Sequence, residues 1–333
     1  MDINKARVFK SKSQISLTFC EIEGLVQSLF GNHEKLLSAE VASAGDVNSC
    51  YVLKTSSFQN KVFLKIEKES IPKFYDGQVA KEAAAIKLCT ENNVPVAKVI
   101  TYEAAKKNFG YRFMMTEFVE GEMLSKVWGK LDGEQKKAVK SSCLSLLNRF
   151  KQIRSPYFGD ICDNGSFGKH SSWKDAFIKI SSVAIKDCYH MGSLSQYDAD
   201  IVQEAVIKCS ESIKAAPFAC FNHMDLHWNN IIVSQQPDGG IAFRSVLDFG
   251  SSVFGPEYSD EIRINKGFFY MTEDFYDETF KLSDNITFDE IFSSKLLSFL
   301  DYYVFLTLMG NYEAEKENLI KTCMAFIQGT QNT

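Results

Sequence analysis

The chain changes its periodicity once, at Gly121, and that change limits the folds open to it. Before Gly121, apolar side chains fall in short runs of β-forming residues, at 42–44, 50–53, 62–66, 99–102 and 111–115. The turn-forming Gly45-Asp46 and the stretch 107–110 separate them, as strand punctuation does. One stretch of helical spacing, 78–90, interrupts the runs, and another, 15–30, precedes them and stops at Gly31, a helix-ending residue type. Beyond Gly121 the helical period takes over at 133–151, 173–189, 196–213, 257–280 and 288–326, the last broken near Gly310-Asn311. The exception is a hairpin-like insert: 218–233 and 241–249 are apolar runs joined by the turn 236–240. The expectation is an α+β chain of two lobes: a small mixed-sheet lobe over 1–117, a hinge at 118–121 and a larger, mainly helical lobe over 122–333.

The length of 333 residues agrees with two lobes around a cleft. A formal charge of −5 and a pI near 5.7 provide no basic field for binding polyanions, so nucleic acid is not an expected partner. Nine cysteines form an odd set without a Cys-x-x-Cys pair, which reads as free thiols in a reducing compartment. The N-terminus lacks an apolar leader, and the longest strongly apolar stretch, 302–309, is too short to span a bilayer. These features predict a cytoplasmic monomer or homodimer without a membrane partner.

Chemistry concentrates around the hairpin. The run Phe221-Asn222-His223-Met224-Asp225-Leu226-His227-Trp228-Asn229-Asn230 sets an Asp five residues before an Asn, and Val246-Leu247-Asp248-Phe249-Gly250 follows eighteen residues later. Two carboxylates and an amide at strand ends suit phosphoryl transfer. A hard cation such as magnesium takes oxygen from a carboxylate and an amide, and a separate carboxylate can orient a hydroxyl and accept its proton. Upstream, Lys65 lies in a strand run and Glu82 on the following helix, a pair able to hold phosphates. Singly, each residue has a plainer reading: Lys65 as a solvated strand lysine, Glu82 as an exposed helix carboxylate, His223 and His227 as loop-shaping groups. A different chemistry uses the alternation of His223, Asp225 and His227, which on one strand face could hold zinc in a hydrolase.

His223-x-Asp225-Leu226-His227-x-x-Asn230, Leu247-Asp248-Phe249-Gly250, a strand lysine and a helix glutamate together resemble the aminoglycoside phosphotransferase and choline kinase family, relatives of the eukaryotic protein kinases. The resemblance implies a bilobal protein-kinase-like fold with Asp225 as catalytic base, Asn230 and Asp248 on magnesium, Lys65 on the phosphates and Glu82 anchoring it. It further implies that Gly45 to Asn48 form the phosphate loop, and that the backbone from Glu117 to Val119 meets the base of ATP or GTP. Two features depart from the family pattern. The phosphate loop has one glycine, and 255–260 keeps Gly255 and Asp260 without the usual Gly-Asp-Pro opening. Phe158-Gly159, the runs 165–168 and 172–177, Leu300-Asp301-Tyr302-Tyr303 and Gly310-Asn311-Tyr312 are most similar to hygromycin-type members.

For the acceptor, charge is the available guide. Residues 251–290 contain ten acids against three basic residues. Glu257, Asp260, Glu261 and Asp274 are therefore candidate acceptor-binding residues for a small cationic alcohol such as an aminoglycoside, with a role in antibiotic resistance. The equal-weight alternative is a solvated acidic helix face. Other family acceptors, namely choline, ethanolamine, homoserine or a sugar, fit the same chemistry, and an inactive kinase-like module is a further alternative.

Overall fold

The computed structural model describes residues 16–42, 47–67, 72–107, 109–163, 165–265 and 286–329. Helix α1 (Phe19–Phe30) begins at Thr18, whose hydroxyl accepts the Glu21 amide while the Glu21 carboxylate accepts the Thr18 amide at 2.7 Å. This reciprocal cap sets the start four residues later than spacing alone placed it. There follow β1 (Leu36–Val41), β2 (Ser49–Thr55), β3 (Val62–Glu67), α2 (Gln78–Glu91), β4 (Val99–Glu103) and β5 (Arg112–Glu117). The first strand lies upstream of the expected 42–44, held by its pairing with β2.

The sheet order is β1-β2-β3-β5-β4, with every neighbouring pair antiparallel, which corrects the expected mixed sheet. The crossover through α2 does return β4 in the direction of β3. Strand β5, however, folds back between the two and pairs antiparallel with both. Alternation then gives β3 two different faces. Val62, Leu64 and Ile66 pack with Ile22, Leu25 and Val26 of α1, together with Phe113 and Met115, while Lys65 and Glu67 face the α2 side.

The chain leaves the sheet at 118–121, where the Phe118 amide donates to Lys61 O at 3.1 Å. Gly121 has φ +147, and a Cβ there would lie 2.6 Å from both Ile232 Cγ2 and Val233 O, so only glycine lets the linker cross this close. Beyond it lie β6 (Glu122–Met123), α3 (Leu124–Val127), α4 (Gly133–Gln152), β7 (Arg154–Ser155), β8 (Phe158–Gly159), β9 (Lys169–His170), α5 (Trp173–His190) and α6 (Gln196–Ser210). The chain continues through β10 (Ala219–Asn222), β11 (Ile231–Gln235), β12 (Ile241–Val246), β13 (Val253–Gly255), α7 (Ser259–Asn265), α8 (Phe288–Met309) and α9 (Glu313–Gln328). The expected hairpin is β11 and β12, with β6 as a third strand. The sheet β7-β10-β13-β8-β9 was not expected from the sequence, because strands of two to four residues are too short to show a period.

Helix α8 has 22 residues and is, by length and composition, apolar enough to cross a membrane, although its strongest apolar run is short. Its apolar window is 67% buried inside the fold, and the helix packs on α5 and α6, as a core helix does. Seven of the nine cysteines are buried, and all nine are free thiols.

Candidate active site

The segment from β10 to β11 carries Asp225 and is shaped by its buried neighbours. Met224 adopts φ +66, a conformation that costs a side-chain-bearing residue energy unless its surroundings impose it. Asp260, 3% exposed, imposes it: its carboxylate accepts the His223 amide at 2.7 Å and the Met224 amide at 2.9 Å. His223 works from the other side. Its Nδ1 accepts the Asp225 amide at 3.2 Å, so Nε2 carries the proton and donates to Leu247 O at 3.0 Å. Burial holds the ring below the usual histidine range, and it packs at a tilt against Phe249, with ring centroids 4.6 Å apart. His223 is thus the loop-shaping group its plainer reading described.

Asn230 Nδ2 donates to the Asp225 carbonyl at 2.9 Å and to its Oδ2 at 3.1 Å, leaving the amide oxygen as the atom for a cation. His227 Nδ1 accepts the Asn229 amide at 3.1 Å, and Nε2 sits 3.6 Å from Asp225 Oδ1. Burial pushes the Asp225 carboxyl up, but the neighbouring His227 outweighs it and holds the group below the usual carboxylate range. Burial likewise opposes charge on His227, and Asp225 reverses that effect, raising the ring. Asp225 therefore meets the cleft as a carboxylate with its side chain 41% exposed.

Across the cleft, Lys65 joins three elements. Its Nζ donates to Glu82 on α2 at 2.6 Å and to Asp248 Oδ1 at 2.9 Å. Burial favours the neutral amine, but the two carboxylates keep the ammonium charged, above the ordinary lysine range. Lys65 and Glu82 are buried, which replaces the solvated readings each had singly. Asp248 takes the left-handed conformation, φ +61, and keeps its side chain 52% exposed. The structure thus brings Lys65, Glu82 and Asp248 into direct contact and ties Asp225 to Asn230.

Other sequence candidates fare differently. Gly45 and Asp274 lie outside the described residues. Asn48 is 3% exposed and donates to Gln78 Oε1 at 3.2 Å, so its side chain braces α2 instead of opening to a phosphate. The Glu117 amide donates to Lys98 O at 2.9 Å, and Val119 follows in the non-strand linker. Asp260 is corrected from acceptor ligand to loop clamp, since two backbone amides consume its carboxylate. Glu261 pairs with Lys151, and Glu257 is exposed. The zinc reading fails on the fold: the chain leaves β10 at Asn222, and both ring nitrogens of His223 are used. Among the described residues no three His, Cys, Asp or Glu side chains are placed to hold a metal.

Sequence reasoning named Asp301 only within the hygromycin-like run 300–303, and it assigned no role to Asp301, Tyr75, Lys81 or Arg263. A cavity next to Met224, Gly250 and Ser251 is lined by Tyr75, Lys81, Arg263 and Asp301. Tyr75 donates its hydroxyl to Asp301 Oδ1 at 3.0 Å. Burial pushes the Asp301 carboxyl up to about 6, with Arg263 opposing and Asp225 reinforcing the shift. The available signal was a single carboxylate inside the apolar run 296–306.

The model of the phosphotransferase enzyme family (APH) matches residues 38–264. No curated protein matches the sequence. Among solved structures, the fold is similar to aminoglycoside phosphotransferase APH(4)-Ia in a ternary complex with AMP-PNP and hygromycin B. The TM-score is 0.61 at 14% identity, covering 94% of this chain and 100% of that one. It is also similar to a protein of Haemophilus somnus 129PT assigned as a fructosamine-3-kinase, with TM-score 0.62, 16% identity, and 91% and 96% covered. A third similar structure is the GDP and kanamycin complex of APH(2″)-IIIa, at TM-score 0.54, 13% identity, and 92% and 97% covered.

Proposed function

The chain belongs to the phosphotransferase enzyme family, and from that premise we propose that it moves the γ-phosphate of ATP or GTP to a hydroxyl of a small cationic acceptor. The observation that carries the reading is the contact of one buried ammonium, Lys65, with Glu82 and Asp248 at once, opposite a carboxylate held by Asn230. A charged lysine fixed by two carboxylates is ready to bind α- and β-phosphate oxygens without rearranging, which is where electrostatic catalysis gains. Asp225, kept ionised by His227, orients the acceptor hydroxyl and takes its proton at a carboxylate oxygen.

Magnesium fits the donor set, since Asp248 offers an exposed carboxylate and Asn230 an amide oxygen, both hard ligands. When bound, the ion supplies neutralisation of phosphate charge. The backbone of 117–119 would receive the purine.

For the acceptor, the acidic stretch after Asp248 gives less support than its composition suggested. Of its candidates, Asp260 is spent on the loop and Glu261 on Lys151. The cationic reading rests instead on Asp301, which lines the small cavity against Met224, the residue before Asp225, and is close enough to Asp225 for that charge to push its carboxyl up. The hygromycin B and kanamycin complexes of two similar folds agree with it. The test is nucleotide consumption by purified protein across aminoglycosides, choline, ethanolamine, homoserine and neutral sugars. Turnover of amine-bearing alcohols is expected; turnover confined to neutral or anionic acceptors overturns the cationic part and keeps the phosphotransfer.

A further inference from the structure

Strand β3 sends two charged side chains to the α2 side, because residues 65 and 67 share a face. Lys65 reaches Glu82, as described. Glu67, 0% exposed, reaches the start of the same helix: its Oε1 accepts the Gly77 amide at 3.2 Å and its Oε2 the Val79 amide at 3.0 Å. Helix α2 needs this. Its N-cap residue is Gly77, at φ +77, and has no side chain to satisfy the first amides, which a helix otherwise leaves unpaired. A carboxylate at that end also meets the positive pole of the helix dipole.

Arg112 on β5 completes the arrangement. Its guanidinium bonds both Glu67 and Asp76, while its Nε donates to Ala104 O at 3.0 Å. The buried carboxylate is therefore paired, so holding it in the core carries no unmatched charge.

Two tethers do what one cannot. The buried face of α2 (Val79, Ala83, Ile86) sets its packing, the Lys65–Glu82 contact fixes it at one polar point, and a second attachment at the helix start, two residues further along the same strand, fixes its start relative to β3. The two attachments lie roughly 6.6 Å apart along β3 at about 3.3 Å per residue. We propose that Glu67 is a positioning residue for the nucleotide half of the reaction: it sets α2 so that Glu82 meets Lys65 and the ammonium is aimed at the phosphates. This rests on the phosphotransferase reading above.

The experiment is a double-mutant cycle read by ATP–Mg²⁺ affinity, which requires no knowledge of the acceptor. Glu67→Gln keeps the shape but turns one acceptor oxygen into a donor, and the dissociation constant is expected to rise about tenfold. In a Glu82→Gln background the same change is expected to add less than about twofold, because the group it positions is already altered. Fold-changes that multiply, or a Glu67→Gln protein that melts earlier yet binds nucleotide like the wild type, would reduce Glu67 to a purely structural cap and overturn the inference. Should Glu67→Gln not fold, Arg112→Gln leaves both amide bonds in place and is expected to weaken binding about threefold, again without multiplying in the Glu82→Gln background. Wild-type protein that binds no nucleotide overturns the phosphotransferase reading and this inference with it.

Discussion

Asp225 and Asp248 are both carboxylates at strand ends, yet their surroundings separate their tasks. Among the described residues, the Asp225 carboxylate meets groups of its own loop, His227 and Asn230, while Asp248 bonds across the cleft to Lys65. Replacing Asp225 with Asn should lower kcat by on the order of 10²–10⁴-fold and leave nucleotide affinity close to wild type, since a proton acceptor is lost and no phosphate contact is. Asp248→Ala should act in the opposite sense and weaken magnesium-nucleotide binding itself; reversed phenotypes in equilibrium titration would exchange the two roles. A pH dependence belongs to Asp301. With its carboxyl raised to about 6, it is ionised at pH 7 and takes a proton as pH falls through that value. The KM for an amine-bearing acceptor should therefore rise below about pH 6 and stay flat for a neutral one. Asp225, held below the usual carboxylate range, keeps its charge across that interval, so kcat should not share the step. A matching step in kcat would assign the titration to the base instead.

Elements were legible in proportion to their length. Helices α4 and α5 begin at the residues their spacing indicated, because Asp132 and Ser172 are side-chain caps standing directly before them. Strands β7, β8 and β9 have two residues each and left no pattern. The site divided the same way. Asp225, Asn230 and Asp248 sit within one short segment around the hairpin, where spacing along the chain survives folding. Asp301 and Tyr75 are separated by 226 positions and meet only in three dimensions. Asp260 was misread because charge counts are blind to direction: a carboxylate in an acidic run points inward when two amides wait there. Gly121, by contrast, was legible as a boundary, and the close crossing over β11 explains it. Gly121→Ala should cost about 1–3 kcal/mol, since its φ of +147 is strained for any side chain and its Cβ would meet backbone oxygen at 2.6 Å. Denaturant melts of the variant would measure this, and a loss under about 0.5 kcal/mol would mean that the linker moves aside freely.

The residues before and after the linker are joined by several polar contacts, and one of them, Lys65 with Asp248, lies in the site itself. Val246 N donates to Pro95 O at 3.0 Å, Phe74 N to Asp187 Oδ2 at 2.7 Å and the Tyr75 hydroxyl to Asp301 Oδ1 at 3.0 Å, and Lys65 reaches Asp248 from the sheet lobe. A nucleotide held by Lys65 on one side and by Asp248 and Asn230 on the other would therefore bind only the native arrangement of both lobes, and ligands of that kind stabilise the native state by mass action. At a hundred times its dissociation constant, ATP with magnesium should add about 2.7 kcal/mol, seen as a rise of several degrees in Tm. The same nucleotide should leave the Lys65→Met protein nearly unshifted, because that substitution removes the only group bonded to both Glu82 and Asp248 among the described residues. The comparison separates site binding from general salt effects: sodium sulfate at equal ionic strength should move both proteins alike, and nucleotide only one. Equal nucleotide shifts in the two proteins would place the ligand away from Lys65 and remove the physical basis for reading this cleft as the transfer site.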